Sequence, residues 1–198
     1  MPAPRKPAGP PTMASPLLGL PKIYASKGNK CVPPANHFLL GTWHVTHSSL
    51  PLWKGKCNVT ITYQMLSPDS SGTMRMDDLV RYQAIGSEKV KTVHGVDTPT
   101  PGNPGAWDWR GKGWLRIVSS HWECLGFGTA ADDNPWLVTY FAKTPFTPAG
   151  IDIYSRSPAG LPQPLIDAIL TTLQGLGVEE ITQLAGSIFP IPQMGPPS

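Results

Sequence analysis

Between residues 42 and 156 the chain repeats one kind of segment: short alternating or apolar runs cut by turn residues, with no helical pattern among them. The clearest run is Cys57 to Leu66. There Val59, Ile61, Tyr63 and Met65 alternate with Asn58, Thr60, Thr62 and Gln64, and a period of two places the apolar set on one face of a half-buried strand. Further strands are expected over Thr42 to His47, Asp78 to Ile85, Lys89 to Val96, Gly113 to Ser119, Ser120 to Gly128, Trp136 to Thr144 and Gly150 to Arg156. The Pro- and Gly-rich stretch from Asp97 to Lys112, which holds Trp107-Asp108-Trp109, reads as a loop. Eight strands with short connections predict an all-β fold: an antiparallel up-and-down barrel, whose closure removes exposed sheet edges. With no helix between the strands, a βαβ enzyme fold is excluded.

One helix is expected, from Pro162 to Gly175. Prolines suit its first turn, glycines its end, and Leu165, Ile169, Leu173 and Leu176 form an apolar stripe to pack on the outside of the barrel. Val178 to Ala185 adds at most a short turn, and 186–198 reads as a flexible tail. Residues 1–35 read as a disordered Pro-rich leader with five basic residues and no acid, which leaves 11 basic and 13 acidic residues in the remainder. The domain, 36–185, therefore carries no basic field, and a nucleic-acid partner is not expected. No stretch approaches the length of a membrane span, and the prolines interrupt any secretory or amphipathic targeting segment. Three cysteines, Cys31, Cys57 and Cys124, are an odd count that argues for reduced thiols, and a cytoplasmic location follows as the expectation. The sequence leaves the oligomeric state open.

Gly41-Thr42-Trp43 opens the first strand, and Tyr154-Ser155-Arg156-Ser157-Pro158 closes the last, just before the helix. This pairing resembles the lipocalin family of the calycin superfamily. It is closest in motif to the bacterial-type branch, and the overall texture is similar to intracellular lipocalin-like proteins of filamentous fungi. The resemblance covers roughly 36–185, with Ser157 standing where the branch carries Thr. It implies that Trp43 lies in the barrel floor with Arg156 across its ring, that Gly41 permits close approach there, and that Asn36 to Leu40 makes a helical turn plugging that end. A guanidinium over an indole is worth about 2 kcal/mol when desolvated. Many secreted lipocalins bridge the C-terminal segment to the barrel, yet no cysteine here lies beyond Cys124.

An eight-stranded barrel has room for side chains or one small ligand. Tryptophans in loops are costly unless they line or lid a pocket, which singles out Trp53, Trp107 and Trp109, whereas Trp114 and Trp136 read as core. With Tyr63, Trp122 and Tyr140 these form the expected ligand-binding set. The standard catalytic motifs are absent. His44 and His47 fall on opposite strand faces, and neither a metal nor a cofactor is expected. If the barrel is an enzyme, its polar candidates are Tyr63, Tyr82, Arg116 and His121, drawn from a wider set with Arg81, His94 and Tyr140. His121 and Glu123 share a face that reads as outward, because Trp122 and Cys124 offer the more apolar side. Two readings follow. The first is an intracellular protein that binds an apolar small molecule (lipid, terpenoid or polyketide). The alternative is a cofactor-free cyclase or isomerase of pericyclase type in secondary metabolism, using the same cup.

Overall fold

The structure, a computed structural model, describes residues 15–194. Eight antiparallel strands close on themselves: β1 (Gly41–Ser48), β2 (Lys56–Met65), β3 (Met76–Ala84), β4 (Lys91–Pro99), β5 (Ala106–Gly111), β6 (Ser119–Thr129), β7 (Pro135–Phe141) and β8 (Gly150–Ser155). Each pairs with its sequence neighbour, and β1 pairs with both β2 and β8, so the ring has no free edge. The alternation of β2 sends Val59, Ile61 and Tyr63 into the barrel, as its period of two requires. Register is broken between Val45 and His47 in β1, between Cys57 and Thr60 in β2 and between Cys124 and Gly126 in β6. These breaks let the strands curve, as closure demands.

Two apolar clusters result. One fills the barrel around Trp43, Tyr63, Trp107, Trp122, Leu137 and Tyr154. The other lies outside β6–β8 under two helices, α2 (Gln163–Gln174) and α3 (Glu179–Gly186), which bury Leu165, Ile169, Leu173 and Ile181 against Val138, Ile151 and Ile153. The stripe expected on the first of these helices is its buried face. Where a short turn was expected after it, α3 forms two turns, with Glu179 and Glu180 placed favourably against its N-terminal dipole. The short helix α1 (Asn36–Leu39) precedes β1 at the floor.

The fifth strand differs from the expectation. It runs over Ala106–Gly111 through Trp107-Asp108-Trp109, while Gly113–Ile117, expected as that strand, is a short 3-10 helix. Trp107 and Trp109 alternate with Asp108 and Arg110, which is a strand pattern; of the Pro and Gly residues that argued for a loop, four fall in the turn at 100–105, while Pro99 ends β4 and Gly111 ends β5. Gly113, at φ +59°, ends extended structure there. Trp114 is consequently not core but 86% exposed, whereas Trp136 is buried as expected.

Residues 18–22 and 189–191 are tied to the barrel, within segments the sequence read as a loose leader and tail. Leu18 and Leu20 are buried, Gly19 N–H donates to the Leu125 carbonyl, and Lys22 N–H donates to the Glu123 carboxylate. At the other end β9 (Phe189–Pro190) pairs with β1 beyond its bulge, and Ile191 is buried. Residues 1–14 of the expected leader and 195–198 of the tail lie outside the described residues. These segments contain few periodic apolar positions, so their docking is decided by the surface they meet.

Candidate ligand-binding cup

The closed end is built from the two motifs at the ends of the barrel. The Arg156 guanidinium lies 3.6 Å from the Trp43 ring centroid and donates to the carbonyls of Phe38, Leu40 and Thr42. Trp43 Nε1–H donates to the Leu39 carbonyl at 2.8 Å, fastening α1 across the floor. Burial lowers the Arg156 pKa to about 10, so the group stays charged at neutral pH. Gly41 has φ +93°, and a Cβ there would come within 3.2 Å of the guanidinium. Residues 41, 43 and 156 thus stand together at the closed end.

Above this floor lies a cavity of about 270 Å³, bordered by the β1–β2 loop, residues 118–120 after the Gly113–Ile117 helix, and the β7–β8 loop. Its wall is largely apolar, with Leu50, Trp53, Val80, Val93, Trp109 and Phe141 among the lining residues. Trp109 reaches across β4 because Gly95 has no side chain: a Cβ there would sit 2.2 Å from the indole. Tyr63 and Trp122 also line the cavity, stacked on each other at 5.7 Å, and Trp107 stacks on Trp122 at 6.1 Å from the closed side. Tyr82 meets Trp53 edge-on at 5.8 Å.

Three carboxyls stand inside this wall. Asp78 and Asp152 line the cavity, and Asp97 lies beside Asp78; all are buried. Asp152 accepts hydrogen bonds from the Ser48 hydroxyl and from Trp53 Nε1–H, and Asp97 accepts from Trp122 Nε1–H at 2.9 Å. Burial pushes Asp152 and Asp97 each up to about 7. Asp78 is pushed well above the usual carboxylate range, first by burial and then by the Asp97 charge next to it. Two carboxyls in contact cannot both ionise, so this pair keeps a proton and presents Asp78 as an acid. Burial likewise drives the Tyr63 and Tyr154 phenols well above 10, so both stay protonated.

The remaining sequence candidates are elsewhere. Tyr140 lies on the outer face of β7, under α3, where its hydroxyl donates to Glu180 at 3.2 Å. Inward and outward positions alternate, and the residues of β7 that face the barrel interior are Leu137, Thr139 and Phe141. Arg116 and Arg81 are exposed. His121 is on the outer face of β6, bonded to Asp108 at 2.7 Å and Glu123 at 3.3 Å, which raise its pKa. His94 pairs with Asp77 at 2.8 Å outside the barrel. Neither Arg116 nor His121 meets Tyr63 or Tyr82, so the four-residue catalytic set is not brought together. Asp78, Asp97 and Asp152 were missed, although each sits on the apolar face of its strand, two positions from Val80, Gly95 or Tyr154.

No family model matches the chain. Its barrel superposes on apocrustacyanin C1 with TM-score 0.56 at 16% identity, covering 81% of both chains, and on H1 crustacyanin from the lobster Homarus americanus with TM-score 0.58 at 15% identity, covering 94% of both. The fold is lipocalin-like. In sequence, the chain is 28% identical over 169 residues to Botcinic acid biosynthesis cluster B protein 12 of Botryotinia fuckeliana (strain B05.10), covering 81% of this chain and 76% of that protein. Among the described residues, no helix is long and apolar enough to cross a membrane.

Proposed function

We propose that this lipocalin-like chain is a cytoplasmic protein that binds an apolar small molecule bearing a carbonyl or hydroxyl oxygen, of lipid, terpenoid or polyketide type, within secondary metabolism. The observation that carries this reading is an apolar cavity open at one end with Asp78 and Asp152 set into its wall. The apolar lining supplies affinity by burial, and a neutral carboxyl donates its O–H to a ligand oxygen in a site shielded from water. Trp53, Tyr63, Trp109 and Trp122 are the aromatic contacts; Trp107 acts from behind Trp122. A relative named for a biosynthesis cluster supports the setting.

Native mass spectrometry of protein purified from its own organism, followed by organic extraction, tests this directly. A stoichiometric oxygenated apolar compound is the expected result. A second assay compares a naphthyl ketone dye with the same dye lacking its carbonyl. The ketone should bind about tenfold more tightly, and replacing Asp78 with Leu should erase the difference, one hydrogen bond being worth about 1.4 kcal/mol. A protein that comes out bare and binds neither dye sinks the reading.

The buried carboxyls also favour the cofactor-free cyclase or isomerase. An acid that stays protonated at neutral pH can stabilise charge developing on a carbonyl oxygen while the cup orients a flexible chain. Turnover of the extracted compound's precursor, lost on replacing Asp78 with Leu while dye binding persists, distinguishes this from a carrier.

A further inference from the structure

The loops around the cup's mouth, 49–55, 85–90, 112–118 and 142–149, expose apolar side chains that the fold does not use. Trp114 is 86%, Ile117 84% and Phe146 72% exposed, and Leu52, Ile85 and Val90 are exposed beside them. Six of the eleven large exposed apolar side chains among the described residues therefore ring one opening. Such a concentration marks an interaction surface rather than scattered exposure. The same loops carry Lys54, Lys89, Lys112, Arg116 and Lys143 against a single acid, Glu88. Lys112 is held by Asp77, and Lys54 lies 5.9 Å over the Phe189 ring, but Lys89, Arg116 and Lys143 are exposed.

We infer that the mouth docks on an anionic lipid bilayer, with Trp114, Ile117 and Phe146 entering the headgroup boundary and the cations above them facing lipid phosphates and carboxylates. Indole and phenyl rings flanked by lysine and arginine are the side-chain types that settle at a membrane interface. An acidic protein partner would match the charge but not the separate apolar tips, which stand on two different loops beside the opening. Docking in this orientation closes the cup against water and opens it to lipid, giving an apolar ligand a path that avoids solvent. It goes beyond ligand binding as such and does not require the cup to be filled.

The test is co-sedimentation of the full chain with phosphatidylcholine vesicles containing about a quarter phosphatidylserine. Binding is expected, falling about fivefold for each cation removed in Lys89→Gln and Lys143→Gln. It should be abolished by the double variant Trp114→Ser/Ile117→Ser, whose exposed sites leave the melting temperature unchanged. Absence of sedimentation overturns the inference. So does binding that survives Trp114→Ser/Ile117→Ser but is lost in Arg5→Glu/Lys6→Glu, since the N-terminal cations would then be the anchor. Either failure leaves dye binding in the cup intact and so is distinguishable from failure of the proposed function.

Discussion

Asp152 makes a prediction whose size follows from its surroundings. It is 1% exposed, and burial raises its pKa from 3.8 in the unfolded chain to about 7 in the fold. The folded state therefore holds the proton more tightly. Stability from this group is fully present below pH 4, declines as pH rises between 4 and 7, and is level above that. At about 1.4 kcal/mol per pH unit, the interval from 3.8 to about 7 amounts to about 4 kcal/mol lost by pH 8. Asp152→Asn removes the titration. The amide oxygen still accepts from Ser48, while the contact with Trp53 Nε1, already long at 3.4 Å, is given up. The variant should thus be about 1 kcal/mol less stable than the parent at pH 4 and about 3 kcal/mol more stable at pH 8. Asp97, also raised to about 7, and Asp78 add to the decline in both proteins and drop out of the difference. Urea unfolding across pH 4–8 provides the comparison. Parallel stability profiles would show that Asp152 is not buried as a neutral acid, and would refute the reasoning.

Other perturbations address other parts of the molecule. Arg156→Met removes three charged hydrogen bonds and the contact with Trp43, and should lower unfolding free energy by about 3 kcal/mol; a urea midpoint equal to the parent's would mean the floor is held another way. Trp109→Ala should weaken ketone-dye binding about tenfold, whereas Tyr140→Phe, outside the barrel, should leave it unchanged. A shift with Tyr140→Phe would place the ligand under α3 instead. The Cys31 and Cys124 thiols lie 3.7 Å apart. A diazene oxidant, accepting two electrons and two protons, should therefore bridge them and tether the N-terminal segment to β6, detected as a cross-linked peptide; recovery of both thiols after treatment counts against that proximity.

The sequence by itself determined the closed barrel and the outer helix. β2 alternates cleanly enough to declare its inward face, and a glycine, a tryptophan and an arginine at the two ends of the strand series carry the closure. These are local signals: period two, period 3.6, and residue types whose geometry admits few roles. Tertiary structure decided the rest. Bulges at Val45/His47 and Cys124/Gly126 change which residues face inward, and a shift of one residue reverses every side chain that follows. Trp109 became a wall residue because Gly95 left space across the sheet, a cross-strand fact invisible in either segment alone. Asp78 and Asp97 lie far apart in sequence, and only strand pairing brings them together, where water is excluded and one of them must keep its proton.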